Sequence, residues 1–192
     1  KPADMAAFVE QARVFAAAEY AGALAKGQNL PAADREAVAV KLSHFTGLSV
    51  KYLEEANLRV DPSRFRKELL RDERRTLGRY DARYEGIDLD AAGETPDYDA
   101  SDTAISGAFT AAFNNYLENT LKWTSDTPYK TTNFEIIRAW DWKHKSGDSR
   151  WPQRMPYVAG DLARAMRENP KLRVLSGNGY FDLATPFFAT EY

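Results

Sequence analysis

A chain of 192 residues, 44% hydrophobic and 28% charged, is long enough to bury one core or two small ones and is too apolar to be disordered. With 26 Lys+Arg against 28 Asp+Glu the net charge is -2, so no global attraction to nucleic acid or an anionic membrane is expected. The absence of cysteine excludes disulfides and thiol chemistry without assigning a compartment, and no run approaches the roughly 18 apolar residues of a membrane span.

The first residues, Lys1-Pro-Ala-Asp4, show no apolar signal-peptide core. From Asp4, the apolar residues Met5, Phe8, Ala12, Phe15, Ala16, Ala23 and Leu24 recur near helical period up to Gly27, which predicts a helix over about 4–26. Pro31 opens a second, about 32–45, with Val38, Leu42 and Phe45 on one face and Gly47 just past its end. Ser49 caps a third, about 50–58, that carries Leu53 and Ala56 inward. Asp61-Pro62 is an N-cap and N1 proline for a fourth, with Phe65 and Leu69 buried. The first 75 residues therefore read as helical.

Between Arg64 and Arg79 seven bases are interleaved with Glu68, Asp72 and Glu73, the pattern of a solvated, paired helix face. The competing reading is an anion-binding surface. Leu77, Tyr80 and Tyr84 lose the helical rhythm in an irregular or short-strand stretch, followed by an irregular acidic loop over 85–102. Within it Asp88-Leu-Asp90-Ala-Ala-Gly93, with Asp99 at the twelfth position, begins like a calcium loop. Position five is Ala92, position nine is Pro96, and the last ligand should be a bidentate glutamate, so a solvated loop without metal is expected.

Ser101 or Asp102 starts a fifth helix, whose stripe Ile105, Phe109, Ala112, Phe113, Tyr116 and Leu121 predicts core packing. Phe134, Ile136, Arg138 and Trp140 alternate with the period of a strand over 133–142. Trp140, Trp142, Trp151 and Tyr157 surround a polar turn, Lys143 to Ser149. A last full helix, about 157–169, carries Val158, Leu162, Ala165 and Met166 and stops at Asn169-Pro170. Leu172, Val174 and Leu175 then read as a buried parallel strand ending in Ser176-Gly177-Asn178-Gly179, with a new helix from about Phe187. Asp182 follows that strand, where open α/β sheets place catalytic groups. It is equally a loop aspartate that bonds its own backbone or caps the next helix.

A serine hydrolase needs a G-x-S-x-G elbow, then an acid, then a histidine. None of the serines fits; Ser149 has Gly147 before it but Trp151 where the second glycine belongs. The only histidines, His44 and His144, precede Asp182, and His44 in an amphipathic helix reads as structural. Two isolated histidines do not make a zinc site. The chain alone cannot contain a complete triad.

The segment Ser176-Gly-Asn-Gly-Tyr-Phe-Asp182-Leu-Ala-Thr-Pro186-Phe-Phe-Ala189-Thr-Glu-Tyr192 resembles the acid-bearing turn of the serine carboxypeptidases, which are α/β-hydrolases. Its turn is two residues longer than in many plant and fungal members. Residues 44–59, 64–72, 78–83, 161–166 and 169–172 are similar to the bacterial branch of that family. The resemblance implies that the serine elbow lies before Lys1 and the histidine after Tyr192. The chain is then mainly α: a helical cap with a few short strands over 1–156, and over 157–192 a helix-strand-turn-helix piece of the α/β-hydrolase core carrying Asp182. It further implies a peptide substrate, Asp182 as the triad acid that orients the histidine, the missing parts of the hydrolase core as partners, and a secreted or periplasmic location. Family residues that bind the substrate carboxylate fall mostly in the missing N-terminal part. No cofactor, metal, nucleic acid or membrane partner is implied, and the chain alone should be inactive.

Two other classes compete. A helical interaction module without chemistry fits a chain that lacks two triad members. A helix-turn-helix reads over Val38 to Leu53, with Thr46-Gly-Leu-Ser-Val50 at its turn, but Glu54 and Glu55 on the recognition helix oppose phosphate binding.

Overall fold

The computed structural model describes residues 2–145, 151 and 157–192. It is mainly helical, and the chain divides into two units: residues 1–107 with 178–192, and residues 108–177. The expected boundary at 156/157 falls at the edge of 152–156, outside the described residues.

The first unit begins with α1 (Met5–Phe15), N-capped by Asp4, which accepts from Ala7 N–H at 3.0 Å. The helix runs on through a π-turn, Ala16–Tyr20, into α2 (Ala21–Lys26). The extra residue of the π-turn shifts the register, so Tyr20, Ala23 and Leu24 return to the face that Phe15 buries. Gly27, at φ 54°, ends the helix. α3 (Ala32–Thr46) ends at Gly47 in the left-handed region, and α4 (Val50–Glu55) is capped by Ser49, which accepts from Tyr52 N–H. Asn57 and Leu58 are both left-handed; Leu58 N–H donates to Leu53 C=O at 2.8 Å, and the Tyr20 hydroxyl donates to Leu58 C=O at 2.6 Å. Burial of Leu58 and these bonds offset the cost of that backbone. Phe15, Val38, Leu48, Leu53 and Leu58 form one core, with Leu42, Phe45, Phe65 and Leu69 packed against it.

α5 (Pro62–Glu68) corrects the reading of its charges. Asp61 caps it as expected, but the most buried residues are Arg66 and Lys67, 5% and 3% exposed, not Phe65 and Leu69. Arg66 Nε donates to Leu77 C=O at 2.9 Å and Nη2 to Tyr98 C=O at 3.2 Å. Lys67 Nζ bonds Asp88 Oδ2 and Asp90 C=O, and Arg71 donates to Ala91 C=O and, at 3.0 Å, to Gly93 C=O. Arg66, Lys67 and Arg71 supply the donors that an irregular loop needs for its carbonyls, whereas Arg74, Arg75 and Arg79 are exposed as expected and Arg71 also pairs with Glu68. The acidic loop is accordingly pinned at Asp88, Asp90, Ala91 and Gly93, while most of its residues stay exposed to solvent as expected. β1 (Thr76–Leu77) and β2 (Glu85–Gly86) form a two-stranded antiparallel pair with Thr76 opposite Gly86 and Leu77 opposite Glu85.

α6 (Ala100–Asn115) and a π-turn, Tyr116–Thr120, form the fifth helix, but its stripe is not core: Phe109 is 68% exposed, and Tyr116 and Leu121 are exposed too. Residues 133–142 are not a strand. Asn133 accepts from Glu135 and Ile136 N–H and caps α7 (Phe134–Ala139). Local capping decides here, because an isolated strand has no ladder to satisfy its backbone. Trp140 and Trp142 lie 6.4 Å apart; Ser146 to Ser149 of the polar turn lie outside the described residues. α8 (Ala159–Glu168) matches the expected last full helix. No strand forms over 172–175, where Leu175 is 96% exposed, because a strand exists only against a partner and the described residues offer none. α9 (Phe187–Glu191) closes the first unit. Among the described residues of 108–177 none is buried.

Candidate active site

Asp182 lies half-buried in the turn before α9. Its Oδ1 accepts from Ala184 N–H at 2.8 Å and Thr185 N–H at 3.0 Å, and its Oδ2 accepts from the Thr185 hydroxyl at 2.8 Å. The Thr185 amide and hydroxyl, then Ala184 N–H and the charge of Arg79, hold the carboxyl below its usual range against a small desolvation cost. The group is therefore ionised at neutral pH, and it does bond its own backbone, as one of the two sequence readings allows.

The turn rests on the segment between β1 and β2. Leu183 N–H donates to Arg79 C=O at 2.9 Å and Ala82 N–H to Phe181 C=O at 2.9 Å, while the Arg83 guanidinium lies 5.2 Å from the Phe181 ring centroid. Leu183 also lines a cavity of about 250 Å³ with Tyr20, Leu48, Leu58, Val60 and Phe65. The residue next to the acid thus faces the helical core across this cavity.

Behind that segment stands Asp99. Its Oδ1 accepts from Arg79 N–H at 2.8 Å, Ser101 N–H at 3.0 Å and the Ser101 hydroxyl at 2.6 Å, and the Ser101 hydroxyl oxygen accepts from Tyr80 N–H at 3.1 Å. Burial opposes the charge of Asp99, but these donors and nearby Arg66 together hold its carboxyl below the ordinary value. Gly78 is required beside it: a Cβ there would overlap Asp81 C=O and the Ser101 side chain.

The histidines have other neighbours. His44 is exposed and packs edge-on against Phe8 and Phe45. His144 Nε2 lies 2.7 Å from Asp161 Oδ2, a pairing 17 residues apart with no local sequence signal. Of the candidate calcium loop, Asp88 faces the Lys67 ammonium and accepts from Asp97 N–H, Asp90 accepts from Ala92 N–H, and Asp99 faces Arg79 and Ser101. An internal ammonium fills the loop, and no group of three or more potential ligands is placed to hold a metal among the described residues. None of their helices is long and apolar enough to cross a membrane. No family model, curated protein or solved structure matches the chain.

Proposed function

We propose that the chain is the cap and acid-bearing turn of a serine-type carboxypeptidase of α/β-hydrolase fold, which cleaves C-terminal peptide bonds through an acyl-enzyme. The serine and the histidine come from other parts of the intact protein. One observation carries this reading beside the resemblance. A carboxylate has about four lone-pair sites; Asp182 uses two on Oδ1 and one on Oδ2 within its own turn, leaving Oδ2 able to accept one more donor. An ionised, oriented carboxylate with one free site is what a triad needs to hold an imidazole Nδ1–H. In the mechanism the serine oxygen attacks the scissile carbonyl as the histidine takes its proton. Asp182 fixes the imidazole tautomer and stabilises the imidazolium, which then protonates the leaving amino acid; water completes the cycle by hydrolysing the acyl-enzyme. In this reading the unpaired stretch over 172–175 becomes a strand of the hydrolase sheet.

Asp182→Asn in the intact protein is expected to lower turnover on the order of 10⁴-fold with the fold retained. Near-normal turnover overturns the assignment. A serine-reactive phosphonate should label the intact protein and leave the 192-residue chain unlabelled.

A second reading, a helical interaction module without chemistry, is favoured by the exposed aromatic surface of residues 108–177. A complete coding sequence without an upstream G-x-S-x-G and a downstream histidine would put it first. The helix-turn-helix reading is disfavoured, since α4 has only six residues and carries Glu54 and Glu55.

A further inference from the structure

We infer that Asp99 is a positioning residue for Asp182, acting through the backbone of Arg79. The inference rests on the peptidase reading and extends it into the cap. The geometry is a continuous chain of hydrogen bonds. Ser101, in the first turn of α6, donates its N–H and its hydroxyl to Asp99 Oδ1, and the same oxygen receives Arg79 N–H at 2.8 Å. On the other side of that residue, Arg79 C=O receives Leu183 N–H at 2.9 Å, one position after the acid. One peptide-bonded residue thus links a carboxylate at a helix start to the turn that presents Asp182. The Asp99 side chain is 17% exposed and does not bond Asp182, so it can affect the reaction only by fixing where the acid stands.

Three further features tie the segment down. Tyr80 N–H donates to the Ser101 hydroxyl oxygen, Ala82 N–H donates to Phe181 C=O, and the absence of a side chain at Gly78 lets the segment close on Ser101. Without Asp99 the Arg79 amide loses its acceptor, and the segment can drift with the turn it holds. A triad tolerates little such drift, because a misplacement of about 1 Å costs on the order of 10²-fold in rate.

The experiment uses the full-length protein, with active sites counted by phosphonate titration so that only folded enzyme enters the rate. Asp99→Ala is expected to lower kcat on the order of 10²-fold with KM nearly unchanged. The acid limb of the kcat/KM profile should move to lower pH, since a histidine whose carboxylate is displaced loses stabilisation of its charged form. Asp99→Asn keeps the Oδ1 acceptor and should return kcat to within a few-fold of wild type. A role confined to folding would lower the titrated site count and leave kcat per site and the acid limb where they were; that result overturns the inference. Should Asp99→Ala yield too little folded enzyme, Ser101→Ala is expected to shift kcat and the limb in the same direction by less, and wild-type values for it also overturn the inference. Asp182→Asn is run in parallel. Full activity there defeats the peptidase reading itself, whereas a dead Asp182→Asn beside an unaffected Asp99→Ala defeats only the role of Asp99.

Discussion

Lys67 and Asp88 are 3% and 2% exposed at their side chains, and they form an ion pair with each other. Removing one partner of a buried pair leaves an uncompensated charge, so Lys67→Met should destabilise the chain by about 3–5 kcal/mol, read by urea unfolding. Lys67→Met combined with Asp88→Leu should recover most of that loss, because apolar replacement of both partners removes the desolvation penalty along with the attraction. A near-neutral single variant would show that the pair is not buried in solution. The carboxylates make a second statement at this scale. Asp81, beside the Arg83 guanidinium, together with Asp99 and Asp182, has its carboxyl held below the ordinary value. A depressed folded-state pKa contributes stability that is present above the unfolded value, near 3.9, and is lost as pH falls through the folded one. The urea midpoint should therefore be flat with respect to these groups between about pH 5 and 7 and fall below about pH 4; a fall already at pH 6 would point elsewhere.

The helices of the first unit begin and end where their caps lie. Asp61 accepts from both Ser63 and Arg64 N–H, so Asp61→Ala should cost about 1 kcal/mol in thermal or urea unfolding. Gly47 combines φ 78° with a Cβ position only 3.0 Å from Leu69 Cδ1. Gly47→Ala should therefore cost at least the roughly 1–2 kcal/mol of a left-handed non-glycine residue, and unchanged stability would mean that α3 ends differently. α7 and the 172–175 stretch teach the opposite lesson about patterns. Alternation at Phe134, Ile136 and Trp140 looks like a strand, yet Asn133 satisfies two amide donors at once and the segment turns helical. Leu172, Val174 and Leu175 look like a strand and remain without regular structure, for want of a neighbour to pair with.

At the scale of the whole molecule the two units differ in kind. Residues 1–107 with 178–192 surround a core of Phe15, Val38, Leu53 and their neighbours, whereas no described residue of 108–177 is buried. Phe109, Trp140, Trp142, Val158 and Leu175 are each more than half exposed. An apolar surface of this kind marks an interaction site or an aggregation liability. The 192-residue chain should therefore bind a hydrophobic dye and self-associate with increasing concentration, and exchanging Phe109 and Trp140 for serine should reduce both. Sedimentation of a monodisperse, dye-silent monomer would contradict this.

What the sequence by itself determined is the set of features whose cause is local. The helices expected over about 4–26, 32–45 and 50–58, and found at 5–26, 32–46 and 50–55, with their stops at Gly27 and Gly47 and the caps at Ser49 and Asp61, were legible because a cap, a glycine and a 3.6-residue period act within one or two turns. The turn around Asp182 was legible as a turn. Only the tertiary structure decided where the charges and the apolar faces went. The expectation that the bases after Arg64 are solvated failed at Arg66, Lys67 and Arg71, because a loop 20 residues downstream brought carbonyls in need of donors. The stripe on α6 was correctly seen as apolar, but periodicity names a face and not what covers it. The hydrogen bonds of Arg79 to Asp99 and to Leu183 join segments about 20 and about 100 residues apart in the chain, and no short-range pattern can announce a hydrogen bond that exists only once the chain has folded.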